Sequence, residues 1–344
     1  MVQRGYCASI SVLSDRSCPF SLNALAGYVR TAWEERLFHR AGRWPDENLP
    51  LVTPDLYSRF KFVEKPRLAP GIGLALGGGF ARGYAHLGVL KVFEEHQIPI
   101  ACISGSSVGS IIGAAYASGA PLGRIVGKCR EIRFRDFARW RVSRFGLASN
   151  DRLEDLLHRF FDSRQMEHLK IPMAIVATDL DTGDPVVFKQ GELTEAIRAS
   201  CAFPGLFEPV QIGTRFLADG GLVAPVPTRA AREIGAAIVV GVSVALHDGR
   251  RGAPKNIFQV VSRAVSAAQK HQLEAWERHA DLVLRPAVQT IAWDDFDRID
   301  EAIEAGASVA RNALPQIRRL LDILEESSKE PGSQGEYLIA ESLG

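Results

Sequence analysis

The stretch GIGLALGGGFARGYAHLGVLKVFEEHQIPIACISGSSVGS, residues 71–110, decides the fold of this chain. Its first apolar run, residues 72–76, ends in three consecutive glycines and predicts a buried strand followed by a tight turn. Apolar residues then recur at helical spacing over 82–96, a second strand is predicted over 98–103, and small residues over 107–118 predict another helix. This order of strand, turn and helix, repeated twice, is typical of a parallel sheet covered by helices.

The same alternation continues along the chain as far as residue 324. We predict further strands at 173–178, 186–189, 215–218, 236–244 and 281–284, and further helices at 192–200, 257–279 and 295–324. The sequence therefore predicts an α/β domain with a mainly parallel central sheet.

The composition is that of a globular protein and argues against several classes of function. Of the 344 residues, 46% are hydrophobic and 24% are charged. Because 41 basic residues balance 40 acidic residues, the net charge of +1 gives no reason to expect a nucleic-acid partner. The five cysteines are irregularly spaced and contain no C-x-x-C pair, which argues against a disulfide framework or a zinc ribbon.

The sequence between Gly105 and Gly109 carries the first chemical signal. It fits G-x-S-x-G, with Ser107 at the centre, between a predicted strand and a predicted helix. A sharp turn from strand to helix needs small residues on both sides of the serine, and it exposes the hydroxyl beside the helix N-terminus. A nucleophilic serine and a merely tight packing turn are both compatible with this spacing.

The glycine-rich turn that follows the first strand has two possible functions. Backbone N–H groups in such a turn could bind a dinucleotide phosphate or the oxyanion of an acyl transfer. A dinucleotide turn would need glycine at position 80 or 82, where Phe80 and Arg82 stand, and an acidic residue at the end of the next strand, where residues 98–104 have none. The oxyanion function is therefore favoured.

A serine nucleophile also needs a group that takes its proton. Asp219 ends a predicted strand and precedes Gly220 and Gly221, which allow a sharp turn that points the carboxylate across the end of the sheet. Burial raises the pKa of a carboxyl group, so a buried Asp219 could act as the base. A Ser–His–Asp arrangement is the alternative, and His247, in a loop after a core strand, is its best-placed histidine.

Three motifs, taken in order, resemble the patatin-like phospholipases, most closely their bacterial members and the neuropathy target esterase group. They are Gly77-Gly78-Gly79-x-x-Arg82-Gly83, Gly105-x-Ser107-x-Gly109 and Asp219-Gly220-Gly221. Further matches are Ala-His-Leu-Gly-Val-Leu at 85–90, Ser200-x-Ala202-x-Pro204-Gly205-Leu206-Phe207 and Pro225-Val-Pro227. The resemblance covers residues 71–315 and implies a three-layer α/β/α patatin-like fold.

The resemblance also implies roles for the residues of these motifs. Ser107 and Asp219 would form a catalytic dyad that needs no histidine, no metal and no other cofactor. The backbone N–H groups of Gly79 and Phe80 would form the oxyanion hole, with Gly78 and Arg82 shaping the turn. Phe80 departs from the family, which usually has glycine or alanine there, and its Cβ disfavours positive φ while its ring could crowd or line the acyl entrance.

The implied function is serine acyl-ester hydrolysis of the phospholipase A or lysophospholipase type, with a phospholipid or lysophospholipid as substrate. The alternative is a non-catalytic lipid-binding or scaffold protein on the same fold. We divide the chain into an N-terminal extension (1–70), a catalytic domain (71–324) and a polar tail (325–344). The extension could cap the site, recruit a partner or build a homodimer.

Membrane contact is a separate hypothesis. No apolar run approaches the roughly 18 residues that span a bilayer, and the N-terminal residues lack a secretory signal pattern. We therefore expect a cytoplasmic protein with at most peripheral membrane contact. Residues 130–144 hold six arginines interleaved with Phe134, Phe137 and Trp140. They could bind anionic headgroups, or form a surface helix or lid whose arginine stems cover apolar surface.

Overall fold

The secondary structure is given by a computed structural model of the chain. It describes residues 70–133, 136, 139–140, 148–150, 152–158, 160, 164–244, 253–254 and 257–329. The strands are β1 (Ile72–Leu76), β2 (Ile100–Ser106), β3 (Arg139–Trp140), β4 (Ala148–Ser149), β5 (Met173–Asp179), β6 (Pro185–Phe188), β7 (Val210–Ile212), β8 (Arg215–Asp219), β9 (Ile238–Val242) and β10 (Leu282–Leu284). The α-helices are α1 (Ala85–Glu95), α2 (Val108–Ala117), α3 (Leu122–Glu131), α4 (Arg152–Leu157), α5 (Leu193–Ser200), α6 (Thr228–Glu233), α7 (Ile257–His271), α8 (Leu273–Glu277) and α9 (Ile299–Lys329).

The central sheet combines a parallel and an antiparallel part. Its order is β10-β9-β1-β2-β5-β8-β7, and β6 also pairs with β5. The strands from β10 to β5 run parallel to their neighbours, as the sequence predicts. β6, β7 and β8 are antiparallel to theirs. The prediction of a mainly parallel sheet is thus confirmed: five of the eight strands form the parallel part, and β6, β7 and β8 add an antiparallel part beside β5.

The sheet is covered by helices on both faces, which makes the three-layer α/β/α architecture. Side chains of β1 alternate between the faces because successive residues of a strand point in opposite directions. Ile72, Leu74 and Leu76 are buried in a core shared with α1, α2, α3 and α9. Ala75 faces a second core that includes α6 and Trp276 of α8. Each fully buried Leu or Ile contributes about 1.5–3 kcal/mol, so the first face supplies most of the stability.

Several helix boundaries differ from the predicted ones. The helix predicted to start at residue 82 begins as a 3-10 turn, Phe80–Tyr84, before α1. The helix predicted over 257–279 is divided at Gln272, whose amide donates to the carbonyl of Gln269 three residues earlier, as in a tight turn. The last helix continues beyond residue 324 to Lys329.

The arginine-rich segment 130–144 is not one continuous helix. Within its described part, α3 ends at Glu131 and β3 pairs antiparallel with β4. Arg130 and Arg133 form ion pairs with Asp300 and Asp297 near the start of α9, at 2.6 and 3.6 Å. The remaining residues of the segment lie outside the described residues. So do residues 1–69 of the predicted extension (1–70) and residues 330–344 of the predicted tail (325–344). No described helix is both long and apolar enough to cross a bilayer.

Two glycines allow α1 and α9 to pack in close contact. A Cβ added at Gly88 of α1 would lie 1.9 Å from the carbonyl oxygen of Ile303, and one added at Gly306 of α9 would lie 1.9 Å from that of Ala85. These distances are far below van der Waals contact, so only glycine fits at either position. The spacing of α1 and α9 matters for the site because α1 follows directly on the glycine turn.

We expect Gly88→Ala and Gly306→Ala each to lower the free energy of unfolding by about 1–3 kcal/mol, because the added methyl group forces the two helices apart. Gly127→Ala is the matched control, since a Cβ at Gly127 in α3 meets nothing within 4 Å. It should raise the free energy of unfolding by about 0.5–1 kcal/mol through helix propensity. Urea unfolding measures all three variants. Equal effects at the three positions would contradict this packing.

Candidate active site

The carboxyl ends of β2 and β8 lie opposite adjacent residues in the middle of β5. In the sheet, Ser106 of β2 pairs with Val176, and Asp219 of β8 pairs with the adjacent Ala177. The parallel pairing on one side of β5 and the antiparallel pairing on the other thus bring Ser107 and Asp219 together. The antiparallel pairing of β8 with β5, a direction that the sequence does not predict, is what places Asp219 beside Ser107.

Ser107 lies on a strained elbow between β2 and α2. Its φ of 53° and ψ of −128° are sparsely populated for a residue with a side chain. Such backbone conformations cost about 1–3 kcal/mol and persist only where the surroundings enforce them. A Cβ at Gly105 would lie 2.6 Å from Ser110 Cα, and one at Gly109 would lie 2.1 Å from the carbonyl oxygen of Leu76. Both glycines of the motif are therefore required by close backbone approach.

The Ser107 hydroxyl donates directly to Asp219. The distance from Ser107 Oγ to Asp219 Oδ2 is 2.7 Å. The other carboxylate oxygen, Oδ1, accepts from the Gly221 amide at 2.7 Å, as the predicted turn after Asp219 allows. Ser107 is 7% exposed and Asp219 is 3% exposed, so the pair is almost completely removed from water.

Burial dominates the electrostatics of this pair. It raises the pKa of Asp219 from 3.8 to about 6, because the charged carboxylate loses its hydration. The hydrogen bonds from Ser107 and Gly221 lower the pKa of Asp219, but by less than burial raises it. Asp219 is therefore mostly ionised at neutral pH, and it is a far better proton acceptor than an exposed aspartate.

Residues without a predicted role hold the pair in place. The amide of Ser107 donates to Ser200 Oγ at 2.9 Å, and that hydroxyl donates to the carbonyl of Val176 at 2.6 Å. Gln269 Nε2 donates to the carbonyl of Gly221 at 2.8 Å. Ser200 belongs to the stretch Ser200–Phe207, which resembles the patatin-like phospholipases. Gln269 of α7 had no such signal, because an isolated glutamine in a helical pattern indicates only an exposed position.

The glycine turn runs beside this pair. The Gly78 amide donates to the carbonyl of Pro225 at 3.2 Å, and the Ala81 amide donates to that of Trp293 at 3.0 Å. The Gly78 amide is thus bonded within the protein, and the amides of Gly79 and Phe80 remain the candidate oxyanion donors. A Cβ at Gly78 would lie 3.1 Å from Ser107 Cβ, which shows how closely the turn approaches the hydroxyl.

Phe80 adopts the positive φ that its Cβ disfavours. Its φ is 51°. The ring packs edge-to-face against Phe203 and Trp293, with centroids 5.4 and 5.2 Å away. Each such aromatic pair contributes about 0.5–1.5 kcal/mol, which offsets a strain of similar size. The ring also lines the cavity described below together with Ser107.

Arg82, in the 3-10 turn that follows the glycines, is 2% exposed. Its Nε donates to the carbonyl of Ile291 at 2.8 Å. This hydrogen bond links the 3-10 turn to the segment before α9.

An apolar cavity opens beside Ser107. Its empty space, including the open solvent at its mouth, is about 790 Å³. One wall is the face of α2 formed by Val108, Ile111, Ile112 and Ala115. The remaining walls come from α3, α4, Phe160 and the aromatic residues near the glycine turn. Since Ala115 is eight residues from Ser107, this wall extends about 12 Å along the helix.

The alternative histidine base is outside the described residues, because His247 lies in the interval 245–252. Within the described ranges, no three His, Cys, Asp or Glu side chains are grouped as a metal site requires.

Comparison with known proteins agrees with the motifs. Residues 74–232 match the family model described as patatin-like phospholipase. The chain is 36% identical over 191 residues to an uncharacterised NTE family protein of Mycobacterium tuberculosis, a match that covers 51% of this chain and 49% of that protein. It is 33% identical over 207 residues to mouse patatin-like phospholipase domain-containing protein 6, covering 56% of this chain and 15% of that protein.

The chain thus spans about half the length of the mycobacterial relative. Among solved structures, VipD from Legionella pneumophila matches 74% of this chain and 67% of its own, with a TM-score of 0.42 and 14% identity.

The raised pKa of Asp219 predicts a pH-dependent stability. Between about pH 4 and pH 6 the native carboxyl binds a proton that the unfolded chain does not, so the free energy of unfolding falls as pH rises through this window. We expect Asp219→Asn to remove this decrease. The free energy of unfolding of the variant, relative to that of wild type, should therefore increase by about 3 kcal/mol between pH 4 and pH 7.

Urea unfolding at several pH values measures this gain. Ser107→Ala is the matched variant. It removes a hydrogen bond that lowers the pKa of Asp219, so this pKa should rise further and the free energy of unfolding should fall more steeply with pH. Parallel stability curves for wild type and Asp219→Asn would show that Asp219 titrates normally.

Proposed function

We propose that this chain, whose residues 74–232 match the patatin-like phospholipase family model, is a lipid acyl-ester hydrolase. Ser107 would be its nucleophile and Asp219 its base. The observation that carries the proposal is the 2.7 Å hydrogen bond from Ser107 Oγ to a buried carboxylate. A buried serine–aspartate pair on a strained elbow, beside a glycine turn and an apolar cavity, is what acyl transfer to a serine requires.

In the first half of the proposed reaction, Ser107 Oγ attacks the ester carbonyl carbon while Asp219 Oδ2 takes the hydroxyl proton. The carbonyl oxygen becomes an oxyanion that accepts from the amides of Gly79 and Phe80. The loss of one such donor typically slows a reaction of this kind by about 10²–10³-fold. The intermediate then collapses, the alcohol leaves with the proton from Asp219, and the acyl group stays on Ser107.

In the second half, water takes the place of the alcohol. Asp219 accepts a proton from the water as its oxygen attacks the acyl carbon, and the same two amides stabilise the second oxyanion. Collapse returns the proton to Ser107 Oγ and releases the fatty acid. The raised pKa of Asp219 suits both directions of proton transfer, because a base works best when its pKa lies near the working pH.

The apolar cavity supports a fatty acyl chain as the acid part of the substrate. Its lining is almost entirely hydrophobic, with Ser107 and Asn150 among the few polar side chains. Burial of each methylene of an acyl chain contributes about 0.8 kcal/mol, so a long chain would be bound strongly in such a cavity. We therefore propose a phospholipid or lysophospholipid as substrate, with its alcohol part outside the cavity.

We expect wild type to hydrolyse p-nitrophenyl butyrate and lysophosphatidylcholine, and Ser107→Ala and Asp219→Asn to fall to background, because each lacks one partner of the proton transfer. Ser118→Ala and Asp184→Asn are matched controls that should keep wild-type turnover. Ser118 directly follows the last residue of α2, and Asp184 is an exposed residue. Lipid binding that survives Ser107→Ala, with no turnover by wild type, would instead support the non-catalytic lipid-binding function.

The cavity predicts a change in chain-length preference. Ala115→Leu places a larger side chain in the wall about 12 Å from Ser107, so it should shorten the space for an acyl chain. We expect kcat/KM for p-nitrophenyl palmitate to fall by about 10–100-fold while that for the butyrate ester stays near wild type. An equal loss on both esters would mean that the acyl chain binds elsewhere.

A further inference from the structure

A histidine that the proposed reaction does not use lies beneath the glycine turn. His86 of α1 is completely buried. Its Nε2 lies 2.8 Å from the carbonyl oxygen of Gly77, the first residue of the turn. Because a carbonyl only accepts hydrogen bonds, Nε2 must carry the proton and donate. No described residue donates to the other ring nitrogen, Nδ1.

Burial of this imidazole in an apolar core lowers the stability of the fold. Burial lowers its pKa to about 4, so the ring is neutral at physiological pH and Nε2 keeps its single proton. A buried ring nitrogen without a partner destabilises the fold relative to a hydrophobic residue of the same size. The contribution of His86 must therefore come from the bond to Gly77.

With that bond, both the carbonyl and the N–H of one peptide group are hydrogen-bonded. In the trans peptide between Gly77 and Gly78, the carbonyl and the N–H point in opposite directions. The carbonyl of Gly77 accepts from His86, and the amide of Gly78 donates to Pro225. With both ends bonded, this peptide cannot rotate without breaking two buried hydrogen bonds.

The orientation of this peptide determines the direction of the amides that follow. Three consecutive glycines have no Cβ to restrict φ and ψ, so the turn has little conformational preference of its own. Farther along, the amide of Arg82 donates to the carbonyl of Gly79 at 3.2 Å and fixes the Gly79–Phe80 peptide. The Gly78–Gly79 peptide, which carries the Gly79 amide, lies between these two fixed units.

We propose that His86 is a positioning residue for the oxyanion hole: by donating to Gly77, it holds the glycine turn in the orientation that directs the Gly79 and Phe80 amides at the reacting carbonyl oxygen. This role rests on the proposed acyl-ester hydrolase function. It assigns His86 to transition-state stabilisation, since an oxyanion exists only after Ser107 has attacked.

Three variants separate the hydrogen bond from packing. His86→Gln carries an amide nitrogen at about the reach of Nε2 and can still donate to Gly77. His86→Asn is polar but too short, and His86→Leu fills space without a donor. Val89→Ala, a buried position on the same helix, is a control for general loss of stability. Thermal unfolding establishes for each variant a temperature at which it is folded.

On a soluble acyl ester, His86→Asn and His86→Leu should lower kcat by about 10–100-fold with KM within about threefold of wild type, because ground-state binding does not use the oxyanion donors. His86→Gln should recover kcat to within about fivefold of wild type. Val89→Ala should keep wild-type kcat. The inhibition constant of an alkyl trifluoromethyl ketone, which forms a hemiketal oxyanion on Ser107, should rise as kcat/KM falls.

Two results would overturn the role of His86 alone, given wild-type turnover above that of Ser107→Ala. One is wild-type kcat in folded His86→Leu. The other is a loss in His86→Gln as large as that in His86→Leu, which would make the side chain a packing element. Wild-type turnover no higher than that of Ser107→Ala would overturn the proposed hydrolase function and the role of His86 with it.

Discussion

The buried hydrogen bond between Ser107 and Asp219 is the constraint on which the rest of the structure depends. A carboxylate that is 3% exposed is stable only where its oxygens are bonded, and both are, to Ser107 and to Gly221. To bring these groups together, the fold joins a parallel strand and an antiparallel strand on either side of β5. The low polarity of the site then raises the pKa of Asp219 into the range where it can exchange protons at neutral pH.

Two of the three non-glycine residues with positive φ in the described part of the chain lie at this site. They are Ser107 and Phe80, and both line the same cavity; the third is Gln97, after α1. At Ser107 the strain is maintained by the close approach of Gly105 and Gly109 to neighbouring backbone. At Phe80 it is offset by aromatic packing against Phe203 and Trp293. Strained residues that persist at a site indicate that the surroundings are rigid there, which is the property that preorganised donors need.

How far the sequence predicts this site depends on how local each interaction is. The elbow at Ser107, the turn after Asp219 and the strand β1 follow from glycine spacing and apolar runs, so they were predicted. The strand β8 was also predicted, at 215–218, but its antiparallel pairing with β5 was not, because pairing direction depends on residues far apart in the chain. The short strand β7 was not predicted at all. Gln269 and the bond from His86 were also missed, since a single polar residue in a helical pattern does not reveal which carbonyl it will meet.

The most direct test of the account is the structure of the protein after reaction with an alkyl fluorophosphonate, which mimics the tetrahedral intermediate. We expect phosphorus bonded to Ser107 Oγ, the alkyl chain along the α2 wall, and the phosphonyl oxygen about 3 Å from the amide nitrogens of both Gly79 and Phe80. Phosphorus on another residue would contradict the account. So would a phosphonyl oxygen directed away from the glycine turn.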